Sequence, residues 1–459
     1  MLTQERAHEL FEKIRKASTS DQVEMLIGGG RSALTRFANN TILQNVADEN
    51  YDISVRVQFG GRTARASTNK WDDDSLRRVV KSAEDLASVQ DEDPELLPMY
   101  DGRDAAAPQK VQRYFEATAG MEAAARAEQV AGMVEIAKKG SLNSAGVFAS
   151  SEQVDGIFNS RGVARWHQQT MAEASVTMTA ADSTGWQKAN SPDVRQVDAR
   201  AMAETAAEKA RKSAKPIEIA PGKFTVVLEP SAVLDMVGFM FWDFGGLALL
   251  DQRSFLNNRI GEKLLGENIH IVDDVSHPLQ AGAPWDGEGV PRERLELVRH
   301  GVVKNITYSR GSHARIRASE LAQQLPGARP TGHGFPLPNE MGEAPMNIVF
   351  EVSGNTQSVG QMVEGTERGI LVTRLWYIRE VDPYEKILTG MTRDGTFLIE
   401  NGQVTHGLRN FRFNESLLHM LSSVEALGQP VRASGEESFD MVVPAMKIRD
   451  FNFTEVTKF

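Results

Sequence analysis

The chain has 459 residues and no cysteine, which excludes disulfides, thiolate nucleophiles and thiolate-bound metal and leaves His, Asp and Glu as the available metal ligands. A net charge of −11 without any Lys/Arg-rich run argues against direct nucleic-acid contact and against an anionic membrane surface. With 41% apolar and 25% charged residues the composition is that of an ordinary globular protein of roughly two to four domains, and no apolar run approaches the about 20 residues that span a bilayer.

The stretch from Met1 to His8 lacks the basic-then-apolar pattern of a signal peptide, and the chain reads as cytoplasmic. Ala7, Leu10, Phe11 and Ile14 recur at helical spacing and predict a helix over 3–17. Val23 to Ile27 reads as a strand ending in a Gly28-Gly29-Gly30 turn, which lacks the Gly-Lys-Ser/Thr of a phosphate loop. Tyr51, Ile53, Val55, Val57 and Phe59 alternate with polar residues, Gly60-Gly61 turns the chain, and 62–67 return as a hairpin. Asp74 and Ser75 are the expected caps of a helix carrying Leu76, Val79, Val80 and Ala83. Residues 88–110 read as an acidic, Pro-containing loop.

A second long helix is expected from about Ala117 to Lys139, closed by Gly140. Strands follow over 145–150, 153–159, 163–169 and 174–180, then a third helix from Asp198 to before Pro216. Lys215 to Gly222, with two prolines and a glycine, marks the boundary between an N-terminal α+β domain (1–216) and a C-terminal β-rich domain (222–459). Ser231 to Leu250 reads as one or two apolar helices. Short strands are expected at 269–273, 295–298, 302–308, 347–352, 396–400 and 403–405, with Asn401-Gly402 as a two-residue hairpin turn. The expected fold class is α+β, an N-terminal α/β-hairpin domain followed by a β-rich, barrel-like C-terminal domain.

Several blocks, taken in order, carry a resemblance. They are Ile53 to Asn69 with its following helix, the turn Asn159-Ser160-Arg161-Gly162, Val272-Asp273-Asp274, Trp285 to Pro291 and His300 to Lys304. Glu364 to Thr373, Phe397 to Val404 and Val442 to Ile448 complete the set, which spans nearly the whole chain. Together they resemble the TldD/PmbA family, also called modulators of DNA gyrase, a name that requires no DNA contact. The resemblance implies an N-terminal α+β domain and a C-terminal barrel-like one. It also implies an assembly in which TldD-type zinc peptidases pair with PmbA-type (TldE) chains lacking the zinc motif, acting on unfolded peptides.

In the motif-bearing members, His-Glu-x-x-x-His stands on the first helix after the boundary and a Cys lies near the C-terminus. Two imidazoles five positions apart on the helix hold zinc while the Glu takes a proton from bound water. The equivalent segment here is Val237 to Trp242, and no histidine occurs between His167 and His270. The chain therefore resembles a PmbA/TldE-like member with no catalytic or metal residues and no cofactor of its own. Zinc is expected only in a TldD-like partner, joined as a heterodimer, the other possibility being a homodimer of this chain. Asp273, Asp274, Asp286 and Glu288 are the candidates for a carboxylate cluster, although Asp-Gly and Glu-Gly pairs are also turn formers. Candidate peptide contacts are Trp242, Asp286, Glu288, Arg310 and His333, each with a core, loop or salt-bridge reading beside it. His270 and His277 sit on a strand end and form no helical metal pair. The competing functions are a hydrolase with a non-standard carboxylate or metal site and a homodimeric peptide-binding scaffold.

Overall fold

The computed structural model describes residues 2–103 and 108–457. The first half contains α1 (Gln4–Ala17), β1 (Gln22–Ala38), β2 (Thr41–Phe59), β3 (Arg62–Thr68), α2 (Asp73–Ser88), α3 (Glu116–Ala119) and α4 (Ala123–Lys139). It continues with β4 (Asn143–Asn159), β5 (Ala164–Thr179), β6 (Thr184–Ser191) and α5 (Ala199–Lys212). The strands form one antiparallel sheet in the order β3-β2-β1-β4-β5-β6. Its alternation follows the sequence: Ile53, Val55 and Val57 pack under α1 and α2, while α4 and α5 cover Phe148, Ala174, Val176 and Met178. Leu10, Phe11 and Ile14 of α1 are buried there, each contributing about 1.5–3 kcal/mol. The opposite face of the sheet is polar and turns toward the second half of the chain.

Several expected boundaries shift. Gly28-Gly29-Gly30 is not a turn, because β1 runs straight through it. Gly29 and Gly30 have φ of 122° and 154°, and a Cβ there would lie 2.2 Å from the Asn50 carbonyl and 2.0 Å from that of Glu152. These glycines let three strands approach. Asp72, rather than Asp74 or Ser75, caps α2, its side chain accepting from the Ser75 amide. The expected helix over 117–139 breaks at Gly120 into α3 and α4, and Gly140 ends α4. The four expected strands are two long ones, β4 and β5, and β6 was not anticipated. Residues 104–107 of the expected 88–110 loop lie outside the described residues.

The second half contains β7 (Gly222–Leu228), α6 (Pro230–Val237), a 3-10 turn (Gly238–Asp243) and α7 (Gly246–Leu250). Next come β8 (Ile271–Asp273), β9 (Leu295–Arg299), β10 (Val302–Val303), α8 (Arg310–Arg317), α9 (Leu321–Gln324), β11 (Ile348–Phe350) and α10 (Val359–Glu364). The expected strand over 302–308 is thus only β10. The chain closes with β12 (Arg368–Asp382), β13 (Ile387–Glu400), β14 (Gln403–Gly407), β15 (Phe411–Ser416) and α11 (Leu417–Ser422). Last are β16 (Val424–Leu427), β17 (Val431–Ala433), β18 (Met441–Val443) and β19 (Met446–Val456).

One sheet here is open, in the order β10-β9-β8-β11-β18-β17. In the other, β12-β7-β19-β15-β13 is joined end to end by β12–β13 pairing, so these five strands close into a ring. The barrel-like expectation thus describes one of the two sheets. Asn401 and Gly402, with φ of 50° and 77°, make the expected β13–β14 hairpin turn. The largest core fills this half, with α6 at its centre.

Candidate functional site

The helix that would carry a zinc motif begins at Pro230 and is packed on all sides. Met236, Val237, Met240 and Phe241 are buried, and a Cβ on Gly238 would overlap Ser438. Asp235 on this helix is fully buried and accepts from the backbone amides of Leu375, Glu436 and Glu437 at 3.3–3.4 Å. Burial pushes its carboxyl up to about 7 despite those three donors. Asp243, at the end of the 3-10 turn, is paired with the buried Lys386. Trp242 alone on this segment stays well exposed, at 45%. Among the described residues no group of three or more His, Asp or Glu side chains is placed to hold a metal ion. The segment expected to match the motif, Val237 to Trp242, is a 3-10 turn after its first residue rather than α-helix, and its side chains do not fit the zinc of the motif-bearing members.

The other expected residues gather around the 331–337 loop. Asp286 lies in the tight turn Trp285 to Pro291. Its Oδ1 accepts from the Glu288 and Val290 amides at 2.9 and 3.0 Å, and its Oδ2 accepts from Gly334 at 2.8 Å. Glu288 pairs with Arg310 at 3.0 Å, and Arg310 also donates to the Pro98 carbonyl at 2.9 Å and lies over the Tyr100 ring. Both carboxyls are pushed above their ordinary range, Asp286 by burial and then by the Glu288 charge. For Glu288 it is burial, against which Arg310 and Arg56 pull. His333 is fully buried, with Nε2 3.0 Å from Asp273 Oδ1 and Nδ1 2.9 Å from Thr331 Oγ1. Burial opposes ionisation of Asp273, but His333, Arg292 and the Asn347 amide together hold its carboxyl below the usual range. Trp242 joins only at the outer end, its ring 6.2 Å from Phe335.

Of the four carboxylates expected to cluster, only Asp286 and Glu288 lie together. Asp273 is on the far side of the loop with His333, and Asp274 accepts from Ser276 while facing Arg294 at 3.7 Å. His270 instead meets His300, accepting its backbone N–H.

The sequence reading missed the partners that the first half supplies. Glu24, Arg56 and Arg65 form one cross-strand row on the polar face of the N-terminal sheet. Arg65 pairs with Glu24 at 2.7 Å and donates to the Leu337 carbonyl at 2.7 Å. Arg56 is 1% exposed, and its Nε and Nη1 lack hydrogen-bond partners among the described residues. These three are the polar members of the alternating hairpin, a pattern that in sequence looks the same as a solvent face. Beside the cluster, a cleft of about 730 Å³ runs past Met99, Tyr100, Arg161, Arg292, Arg294 and Arg310. Most of these arginines are already engaged: Arg161 with Asp101 at 2.9 Å, Arg294 with Glu351 at 2.7 Å, and Arg310 with Glu288.

Three family descriptions match the chain in order: PmbA/TldA metallopeptidase domain 1 at residues 23–87, the central domain at 101–214 and the C-terminal domain at 221–455. Metalloprotease PmbA of Escherichia coli O157:H7 is 23% identical over 94% of this chain and 92% of its own length. An uncharacterized protein of Methanocaldococcus jannaschii is 27% identical over 61% of this chain and 67% of its own. Among solved structures, TldE from Thermococcus kodakarensis superposes with a TM-score of 0.84 at 17% identity, covering 98% of this chain and 99% of that one. A putative modulator of a DNA gyrase from Thermotoga maritima gives 0.83 at 17% identity, covering 98% and 100%. These two likenesses show the fold.

Proposed function

Because this chain belongs to the TldD/PmbA family of metallopeptidase-related proteins, we propose that it is a non-catalytic, PmbA/TldE-like subunit of a zinc metallopeptidase complex acting on unfolded peptides. The observation that carries this reading is the state of α6 and the 3-10 turn after it. Where a motif-bearing chain has two histidines and a glutamate, Val237 to Trp242 offer only apolar side chains and a glycine, and the one acid of α6 is consumed by three backbone amides.

Membership of a complex is supported by the edge of the N-terminal sheet. Residues 41–50 of β2 pair with β1 on one side only, since β3 reaches no further than Ile53, and all of them are exposed. This edge carries Ile42, Leu43 and Val46, has neither Lys nor Pro, and is charged only at Asp48 and Glu49. No described helix is long and apolar enough to cross a membrane.

The test is to purify the chain alone and together with a His-Glu-x-x-x-His homologue, then measure bound zinc and cleavage of an unfolded peptide. The lone chain is expected to bind no zinc and cleave nothing, and the pair to do both. Full activity with equimolar zinc in the lone chain would sink the proposal. The buried, adjacent Asp286 and Glu288 favour the carboxylate-hydrolase reading as the second choice. Zinc-free cleavage by the lone chain that disappears in Asp286→Asn would establish it. A homodimer that ignores the homologue would favour the scaffold reading.

A further inference from the structure

We propose that the cavity between the polar face of the N-terminal sheet and the 281–292 loop binds an alkylammonium group, with Asp155 as its counter-charge. The cavity measures about 420 Å³ and is lined by Gly28, Asp155, Ile157, Trp285, Pro336 and Met346 among others. It lies apart from α6 and shares the Asp286 turn, Arg292, Pro336 and Asn347 with the cluster described above.

Asp155 stands in the middle of β4, in a cross-strand row with Gly28 of β1 and His167 of β5. Strand alternation turns its side chain away from the helices and into the cavity. It has no hydrogen-bond or ion-pair partner among the described residues, and burial alone pushes its carboxyl above the ordinary range. Neither neighbour in the row supplies a cation. Gly28 has no side chain, and burial, with Arg113 adding to it, lowers the His167 imidazole to about 4. Arg292 also lines the cavity, but it donates to the Trp285 carbonyl and its charge acts on Asp273 rather than on Asp155.

Asp155 is half-buried and unpaired, and a ligand cation placed beside it would gain from its charge. The space beside it is bounded by Ile157, Trp285, Pro336 and Met346, which suits an apolar body attached to the ammonium. The absent side chain at position 28 leaves room for the charged group, since a Cβ there would lie 3.7 Å from Asp155 Oδ1. The N-terminal residue of a peptide and a small free amine share this chemistry.

The experiment is calorimetric titration of the intact chain with leucinamide, N-acetyl-leucinamide and isoamylamine. Wild type, Asp155→Asn and Gly28→Val are compared, with circular dichroism as the check of folding. Leucinamide is expected to bind at least about tenfold more tightly than its N-acetyl form, and Asp155→Asn to abolish that difference. Gly28→Val fills the space while leaving the carboxylate, so it weakens both amines and keeps the proposal testable if Asp155→Asn fails to fold. Isoamylamine matching leucinamide assigns the site to small amines, and weaker binding assigns it to peptide N-termini. Equal binding of leucinamide and N-acetyl-leucinamide, no binding of either, or amine binding untouched by both substitutions overturns the inference. The measurement uses neither zinc nor a second chain, so its failure leaves the subunit proposal standing, and the reverse holds too.

Discussion

Asp235 shows how one residue type changes meaning with its surroundings. On the sequence it is one acid in a helix of Ala, Val, Leu and Met. In the fold it ties α6 to the middle of β12 and to the 436–437 loop through backbone amides. Burial raises its folded carboxyl to about 7, whereas the unfolded carboxyl loses its proton near 4. Between those values the folded state holds more protons than the unfolded one, so this group makes stability fall as pH rises from about 4 to about 7. Chemical unfolding at pH 5 and pH 8 checks this. Wild type is expected to lose more stability over that interval than Asp235→Asn, and equal losses would refute the assignment. Arg310 makes the complementary point. A free arginine suggests a grip for a peptide carboxylate, but here it is held by Glu288 and the Pro98 carbonyl.

At the scale of elements, the central feature is β1, where a glycine triplet looks like a turn and proves to be the middle of a strand. Gly30 in extended sequence context would be a weakness were it not for the neighbouring backbone. Its missing Cβ makes room for the Glu152 carbonyl of β4. Gly30→Ala is expected to cost at least about 2 kcal/mol in urea unfolding, through strain and forced separation of β1 from β4. Gly60→Ala, at the β2–β3 turn with open space around its Cβ, is expected to cost about 1 kcal/mol for its left-handed backbone alone. Similar losses in the two variants would show that close approach does not govern β1. The merged strands β4 and β5 have the same origin. Polar interruptions such as Ser150-Ser151-Glu152 suggest a break in sequence, but the strand runs through them because Ser150 and Glu152 find partners in Arg126 of α4 and the Tyr114 hydroxyl.

At the scale of the molecule, the two halves meet through the polar face of the N-terminal sheet and through α5. Thr184 of β6 donates to Asp394 of β13 at 2.6 Å, and Asp394 in turn holds the buried Arg374 of β12. The Arg374 guanidinium lies 4.4 Å over the Trp186 ring, so one arginine links both halves by charge and by stacking. Lys209 of α5 pairs with Glu229 at the start of α6 at 2.6 Å, and Lys188 donates to the Gly435 carbonyl at 3.2 Å. Arg374→Ala leaves Asp394 buried without its main cation and is expected to lose about 3–5 kcal/mol. It should also open the 213–221 linker to limited proteolysis. Unchanged stability and unchanged cleavage would place the coupling of the halves elsewhere.

Local chemistry was readable from the residues themselves. Helical spacing gave α1 and α5, alternation and Gly-Gly gave the β2–β3 hairpin, and Asn401-Gly402 gave the β13–β14 turn, because each depends on neighbours within a few positions. The blocks spread along the chain were enough for the family, and the absence of histidine from 168–269 was complete without any coordinates. Tertiary structure decided what the polar residues do. Whether Arg56, Glu24 and Asp155 face water or a cavity depends on which surface closes over the sheet, and period-two alternation is the same in both cases. It also decided that five distant strands close into a ring, since pairing between β12, β7, β19, β15 and β13 is set by long-range packing that no local pattern encodes.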